Sequence, residues 1–292
     1  MKGTLVKAIS GFYYVNCNNN IYECKARGNF RNAGISPVVG DCVEITELDS
    51  SHGVLESVYE RKNLLNRPPV ANIDKLFIVS AYSTPSPNTL MIDRLCAIAC
   101  FNNIEPIIVF NKSDMGSFEK YYDIYSNAGL KTYVVSAKEN SGIEQLKTEM
   151  YGCVSAFSGN SGVGKSSILN ALFPNLSLKT GEVSEKLGRG RHTTRHTELF
   201  AIDNDGFVVD TPGFSTVEAI DNLYKFKQSL TYCFTDFSDY INDCKFTSCR
   251  HINEKGCSLL VALAEGKIQK SRHDSYVALM NELKDVNEWN SK

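Results

Sequence analysis

The run Gly159-Asn160-Ser161-Gly162-Val163-Gly164-Lys165-Ser166 fits the pattern G-x-x-x-x-G-K-[ST]. Glycines at this spacing let successive backbone N–H groups converge on phosphate oxygens, and a helix opening at Lys165 adds the positive end of its dipole. Lys165 is then expected to reach the β- and γ-phosphates, and the Ser166 hydroxyl to ligate Mg²⁺, with Ser167 beside it in the nucleotide site. The context agrees: an apolar run, Val154 to Ser158, precedes the loop, and a helical pattern, Ser166 to Leu172, follows it. The alternative, an ordinary glycine-rich turn, does not account for that strand–loop–helix setting.

Asp210-Thr211-Pro212-Gly213 closes a second strand-like run, Phe207 to Asp210. A carboxylate at a strand end is placed to hold Mg²⁺ through water, and the Gly213 N–H could sense a γ-phosphate. Asn111-Lys112-Ser113-Asp114 follows the apolar run Ile107 to Phe110, and Ser136-Ala137-Lys138 ends the next one. The Asp114 carboxylate can accept from guanine N1–H and the exocyclic amino group together. Adenine, with a lone pair at N1, would leave that carboxylate unpaired. The Lys112 stem can cover the base, and the Ala137 N–H can donate to guanine O6. A P-loop ATPase or kinase is the competing class, and Asp114 argues against it.

The order of these motifs is itself informative. In ordinary small GTPases the phosphate loop comes first and the N-K-x-D and S-A-K segments last; here the last two come first. Circular permutation preserves a site when the original termini lie close together. The segment Gly188 to His196 then falls between phosphate loop and D-T-P-G, where a switch threonine would complete the Mg²⁺ shell only with GTP bound; Thr194 is favoured over Thr193. A glutamine commonly orients the attacking water directly after D-x-x-G. Phe214 occupies that position here and cannot do so. His192 is the best-placed replacement, the alternative being a solvated loop histidine.

A third cluster has different chemistry. Cys244, Cys249, His251 and Cys257 fall within fourteen residues, a full tetrahedral Cys₃His set for a structural zinc with no open position for catalysis. The alternative is buried thiols beside a surface histidine. The other seven cysteines (Cys17, Cys24, Cys42, Cys96, Cys100, Cys153, Cys233) are scattered through strand-like and helix-like text and read as reduced thiols.

Three sets of elements must position these groups within 292 residues. Residues 1–66 carry five short apolar alternations punctuated by Gly11, Gly28, Gly40 and Gly53, which fits a small barrel such as an OB-fold and an RNA-binding candidate. Arg67-Pro68-Pro69 reads as a linker. Residues 67–220 alternate strands and helices, with continuous apolar runs expected of a doubly wound α/β domain. Residues 221–292 read as a small helical zinc-binding domain, with Tyr276, Leu279, Met280, Leu283 and Val286 as a packing stripe. The formal net charge of −2 excludes a strongly basic nucleic-acid binder, so RNA contact must come from local patches; Lys25, Arg27, Arg31, Arg61 and Lys62 are the barrel candidates, with a solvated surface as the alternative. No signal peptide or apolar run of membrane-spanning length is read.

Taken together, these residues resemble the circularly permuted GTPases that depend on the small ribosomal subunit, a bacterial ribosome-assembly family of the ribosome biogenesis GTPase A type. The likeness also covers Arg27-Gly28-Asn29-Phe30-Arg31 and Val39-Gly40-Asp41 in the barrel. The resemblance implies an OB-fold, a permuted P-loop GTPase domain and a C-terminal zinc domain. It implies GTP hydrolysis stimulated by the small (30S) subunit and its 16S rRNA during late maturation, in a cytoplasmic protein expected to be monomeric. It also assigns His192 a catalytic role. Arg195 and His196 depart from the family's usual residues after Thr194. A nucleotide-gated rRNA-binding adaptor with incidental turnover is the alternative function.

Overall fold

The computed structural model describes residues 1–28, 30, 36–66, 69–82, 86–174, 197–210 and 222–288. Asn29, Arg31, His192, Thr193, Thr194, Arg195, His196, Gly213 and Phe214 lie outside the described residues, and Asp210 is described in its backbone alone.

The first five strands are β1 (Lys2–Ile9), β2 (Phe12–Cys17), β3 (Asn20–Ala26), β4 (Cys42–Glu47) and β5 (His52–Val58). Period-two burial along them, as at Tyr22 and Cys24 or Val43 and Ile45, places one face of each strand inside. The strands pair in the order β1-β2-β3-β5-β4, and β4 returns to β1, closing a barrel. The β3–β5 pairing is parallel while the others are antiparallel, as in the expected OB-type barrel.

Two readings of this end change. Arg61 is not a free cation for RNA. Its guanidinium clasps the fully buried Asp41 carboxylate through Nε (2.7 Å) and Nη2 (2.8 Å), and Nη2 also donates to the Ser36 carbonyl. A buried carboxylate without such a partner would be strongly destabilising, so this arginine is committed to the fold. Lys62 is similarly paired with Asp74 at 2.6 Å, although its side chain stays exposed. Moreover, short strands flank the proline-marked stretch, whose Arg67 and Pro68 lie outside the described residues: β6 (Leu64–Asn66) and β7 (Pro69–Ala71) pair antiparallel, with Asn66 opposite Pro69. Pro69 is tolerated because it starts its strand. Val70 bridges back to Val39, and a Cβ on Gly40 (φ +89°) would meet the Ala71 carbonyl oxygen at 2.0 Å. Only glycine permits this close backbone crossing.

The central sheet contains β8 (Lys75–Ala81), β9 (Glu105–Asn111), β10 (Lys131–Val134), β11 (Val154–Ser158), β12 (Glu198–Ala201) and β13 (Phe207–Asp210). Its order is β10-β9-β8-β11-β13-β12, parallel except for β12. The continuous apolar run of β9 is buried on both faces. The helices α1 (Thr89–Phe101), α2 (Glu119–Asn127), α3 (Ile143–Glu149) and α4 (Lys165–Leu172) cover it. A Lys7–Glu198 ion pair of 2.9 Å accompanies the β1–β12 pairing that joins barrel and sheet.

Below the sheet edge, Glu149 ties α3 to two strands. Burial pushes its carboxyl up, but hydrogen bonds from Lys75 (2.6 Å), Lys131 (2.9 Å) and Tyr133 (2.9 Å) outweigh that and hold it at about 2, against an ordinary 4.5. A depressed carboxyl stabilises the fold above its unfolded-state value and loses that contribution as pH falls through the folded one. Glu149→Gln is therefore expected to lower the denaturation midpoint at neutral pH, with the gap to the parent closing between about pH 4.5 and pH 2. A gap independent of pH in urea titrations would contradict the assignment.

The C-terminal region contains α5 (Leu223–Ser229), the 3₁₀ turns Leu230–Cys233 and Thr235–Phe237, α6 (Ser258–Ala264) and α7 (Lys270–Glu282). The expected stripe holds: Tyr276, Leu279, Met280 and Leu283 are buried. They share a core with Phe226, Phe234 and Phe237, and with Ala97 and Ile98 of α1, whose other face (Ile92, Leu95, Ala99) packs on the sheet. This double packing explains why α1 is apolar nearly all round. Inside that interface Arg272, 1% exposed, donates to Asp93 of α1 (2.7 Å) and to Asp236 (2.5 and 3.1 Å), with its guanidinium 4.9 Å from the Phe234 ring centre. Burial pushes the Asp93 carboxyl up to about 6, with Arg272 and Ser275 only partly countering it. Arg272→Ala, which strands two buried carboxylates, is expected to cost about 3–5 kcal/mol of stability. Asp93→Asn keeps an acceptor for Arg272 and should cost less than half as much in the same urea titration; equal losses would overturn this reading.

Candidate nucleotide site and metal centre

Because β8, β9, β10, β11 and β13 run parallel, their C-terminal ends share one edge of the sheet, where α/β folds bind ligands. Asn111 and Lys112 leave β9 there, Ser136 to Lys138 follow β10, Gly159 follows β11, and the Asp210 backbone ends β13. Segments scattered through the sequence thus meet at one place.

The loop from Gly159 to Gly164 depends on its glycines. Gly159 (φ +141°) has the Val79 carbonyl oxygen 2.1 Å from where a Cβ would sit, and Gly164 (φ +95°) has the Asn111 amide nitrogen at 2.3 Å. Lys165 opens α4, its Nζ donating to the Gly159 (2.6 Å) and Asn160 (3.0 Å) carbonyls, and burial lowers its pKa. Ser166 and Ser167 lie in the first turn of the same helix.

Asn111 joins three motifs. It is 2% exposed; its Nδ2 donates to the Val163 carbonyl (2.9 Å), and its Oδ1 accepts from the Ala137 N–H (3.1 Å). Lys112, in the left-handed region at φ +66°, donates from Nζ to the Gly162 carbonyl at 2.8 Å. Asp114 accepts from the Ser136 hydroxyl at 2.7 Å, which lowers its carboxyl pKa against its partial burial, while Lys138 lies farther off at 3.8 Å. Ser136 Oγ also accepts from the Glu139 N–H. The edge therefore presents an ionised carboxylate and a lysine stem on one side, with the Ala137 N–H beside them on Asn111 Oδ1. On the other it presents a turn of glycines, an amine and a helix N-terminus. That is a donor and acceptor set for a purine bearing an N1–H and for its phosphates. The Ser166 hydroxyl is a hard oxygen donor of the type Mg²⁺ takes.

The sulfur cluster also assembles. The Cys244, Cys249 and Cys257 sulfurs and a His251 ring nitrogen all lie within 4.8 Å of one another. His251 Nδ1 is 3.4 Å from both Cys244 and Cys257 Sγ, and those sulfurs are 3.8 Å apart. Tetrahedral zinc, with bonds of about 2.3 Å to sulfur and about 2.0 Å to nitrogen, demands edges of about 3.8 and about 3.5 Å. The residues fit that ion. His251 is buried rather than a surface histidine, and its left-handed backbone (φ +56°) turns the ring inward.

Sequence reasoning missed the groups around this cluster. His273 Nε2 is 2.7 Å from the His251 carbonyl, Tyr276 OH donates to the Arg250 carbonyl, and Ser258 Oγ lies 3.2 Å from Cys244 Sγ. Ser258, next to Cys257, was the one with a local hint; His273 and Tyr276 approach from α7 and left none. None of the ten cysteines is disulfide-bonded.

This sheet order and edge define a circularly permuted P-loop GTPase. Comparison with known proteins agrees. Residues 58–220 match the RsgA GTPase family, and residues 2–55 match the RsgA N-terminal domain. The small ribosomal subunit biogenesis GTPase RsgA of Caldanaerobacter subterraneus subsp. tengcongensis is 43% identical over 288 residues, covering 98% of this chain and 96% of that protein. The crystal structure of YjeQ from Thermotoga maritima superposes with a TM-score of 0.85 at 35% identity, covering 98% of this chain and 99% of the other. That of YloQ, described as a circularly permuted GTPase, gives 0.81 at 33% identity, covering 97% and 95%. The chain belongs to the RsgA GTPase family and is a GTP hydrolase.

Proposed function

We propose that the chain hydrolyses GTP to GDP and phosphate in response to the small ribosomal subunit, late in that subunit's maturation. The bridging of phosphate loop and Ala137 by the single side chain of Asn111 carries the site reading. The relatives' name, small ribosomal subunit biogenesis GTPase, supports the partner.

In this reading Asp114 accepts from guanine N1–H and the exocyclic amine, Lys112 covers the base, and the Ala137 N–H turns from Asn111 Oδ1 to donate to O6, with Ser136 and Lys138 holding Asp114 in place. Residues Gly159 to Gly164 wrap the phosphates with backbone N–H groups. Lys165 moves from the loop's own carbonyls to the β- and γ-phosphate oxygens and stabilises the charge that develops on them. Ser166, Thr194 and, through water, Asp210 would hold Mg²⁺, which when bound neutralises phosphate charge. His192 orients the attacking water, and the Gly213 N–H senses the γ-phosphate. Cys244, Cys249, His251 and Cys257 would hold one zinc ion that ties the turns before α6 together.

The barrel and the zinc-bearing region contact 16S rRNA in this proposal, with Lys25, Arg27 and Lys62 as exposed barrel cations, Arg27 pairing with Glu56 and Lys62 with Asp74. The site of action is the cytoplasm, where 30S subunits mature, and the working unit is a monomer. Among the described residues no helix is long and apolar enough to cross a membrane. Hydrolysis measured with and without purified 30S subunits tests the proposal. A rise of about tenfold or more in turnover is expected; an unchanged rate would overturn it.

A further inference from the structure

The interface between α1 and the C-terminal region encloses a cavity of about 320 Å³ lined by Cys96, Cys100, Ile104, Cys233 and Arg272 among others. Cys100 sits on the last turn of α1, half-buried, and Cys233 ends the 3₁₀ turn Leu230–Cys233. Both thiols line that cavity, and Cys100 Sγ lies 3.9 Å from the carbonyl oxygen of Tyr232, the residue before Cys233. Nothing in the GTP or zinc chemistry uses either thiol. They belong to elements far apart in sequence, and they meet at a solvent-reachable cavity, whereas Cys17 and Cys24 are sealed in the barrel core.

We propose that Cys100 and Cys233 are an oxidation site for small hydroperoxides, at which Cys100 is oxidised first and Cys233 resolves it into a disulfide joining α1 to the C-terminal region. In the first step the Cys100 thiolate attacks one peroxide oxygen and the O–O bond breaks. Sulfur gives up two electrons and becomes a sulfenic acid, and the departing hydroxide takes the thiol proton to form water. In the second step the Cys233 sulfur attacks the sulfenic sulfur, the S–O bond breaks, and hydroxide leaves with the second thiol proton as water. Two thiols and one hydrogen peroxide thus yield one disulfide and two waters.

The order of oxidation follows from access. Cys100 is half-buried whereas Cys233 is buried, so peroxide reaches Cys100 first, and interaction with Cys233 lowers the Cys100 thiol against the opposing effect of burial. Interaction with Cys100 and burial raise Cys233. Cys96, one turn earlier on α1, is wholly buried and raised by that burial, so it stays a thiol although it lines the same cavity. Low thiolate pKa together with access is what selects a cysteine for oxidation.

Treating the full, zinc-loaded chain with hydrogen peroxide and mapping its peptides by mass spectrometry tests this. A Cys100–Cys233 cross-link should form first, with alkylation at Cys100 lost about tenfold faster than at Cys96. Cys233→Ser should instead leave Cys100 as a sulfenic acid trapped by dimedone. Unchanged alkylation of Cys100 and Cys233 in the parent chain would overturn the proposal, as would a first disulfide between other cysteines. The parent-chain map decides this even if the variant fails to fold.

Discussion

Asp114→Asn is expected to lower the affinity for GTP by a factor of about 10² or more while improving that for xanthosine triphosphate. The carboxylate, held by the Ser136 hydroxyl at 2.7 Å, offers two acceptors to the two donors on the guanine edge. An asparagine keeps one acceptor and turns an NH₂ toward the exocyclic amine, so donor meets donor. Xanthine has a carbonyl at that position and restores the pairing. The phosphate loop is not touched by the change, so the effect should fall on binding, with turnover at saturating nucleotide altered far less. Displacement of a fluorescent GDP analogue by each triphosphate reads the swap. Equal losses for GTP and xanthosine triphosphate would point to a folding defect and not to base recognition.

Loss of the metal is the second large effect. Cys257→Ser, or chelation of the parent chain, is expected to abolish stoichiometric zinc and to lower stability by at least several kcal/mol, about 3–5 kcal/mol, since the site closes turns with little regular structure. Residues 238–257 contain no helix or strand, and the cluster ties them to Ser258 and to His273 in the first turn of α7. The loss should be smaller than for an isolated zinc finger, because Phe234, Phe237 and Tyr276 form an apolar core of their own. Metal analysis together with thermal denaturation checks this. A chain that keeps its melting temperature after zinc is removed would show that the cluster is dispensable.

The parts of this molecule legible in the sequence are those encoded locally. Gly159 to Ser166 declares its own loop because each residue has a role set by its neighbours in the chain, and the Cys₃His set lies within one short stretch. The period-two runs of the barrel and the apolar runs of the central sheet were legible for the same reason. What escaped depends on pairs that only the fold brings together. Arg272 with Asp93 and Asp236 is one case, since nothing near any of them in sequence announces the others. Arg61 is another: a surface-looking arginine in a basic pair, it turns out to neutralise the buried Asp41. The Arg67-Pro68-Pro69 stretch reads as a linker in the sequence, yet Pro69 begins a short strand that pairs with Leu64–Asn66. Asn111 was recognisable as part of N-K-x-D, but its bond to Val163 crosses the permuted order and is visible only in three dimensions.

Competition of GTP, GDP and ATP against a fluorescent GDP analogue on the full chain bears most directly on the joining of Asn111, Asp114 and Lys165 into one guanine-nucleotide site. One binding site per chain is expected, emptied by GTP and GDP but not by about a hundredfold excess of ATP, and weakened by Asp114→Asn and Lys165→Ala alike. Displacement by ATP as readily as by GTP, or two independent sites each sensitive to only one of those substitutions, would contradict it.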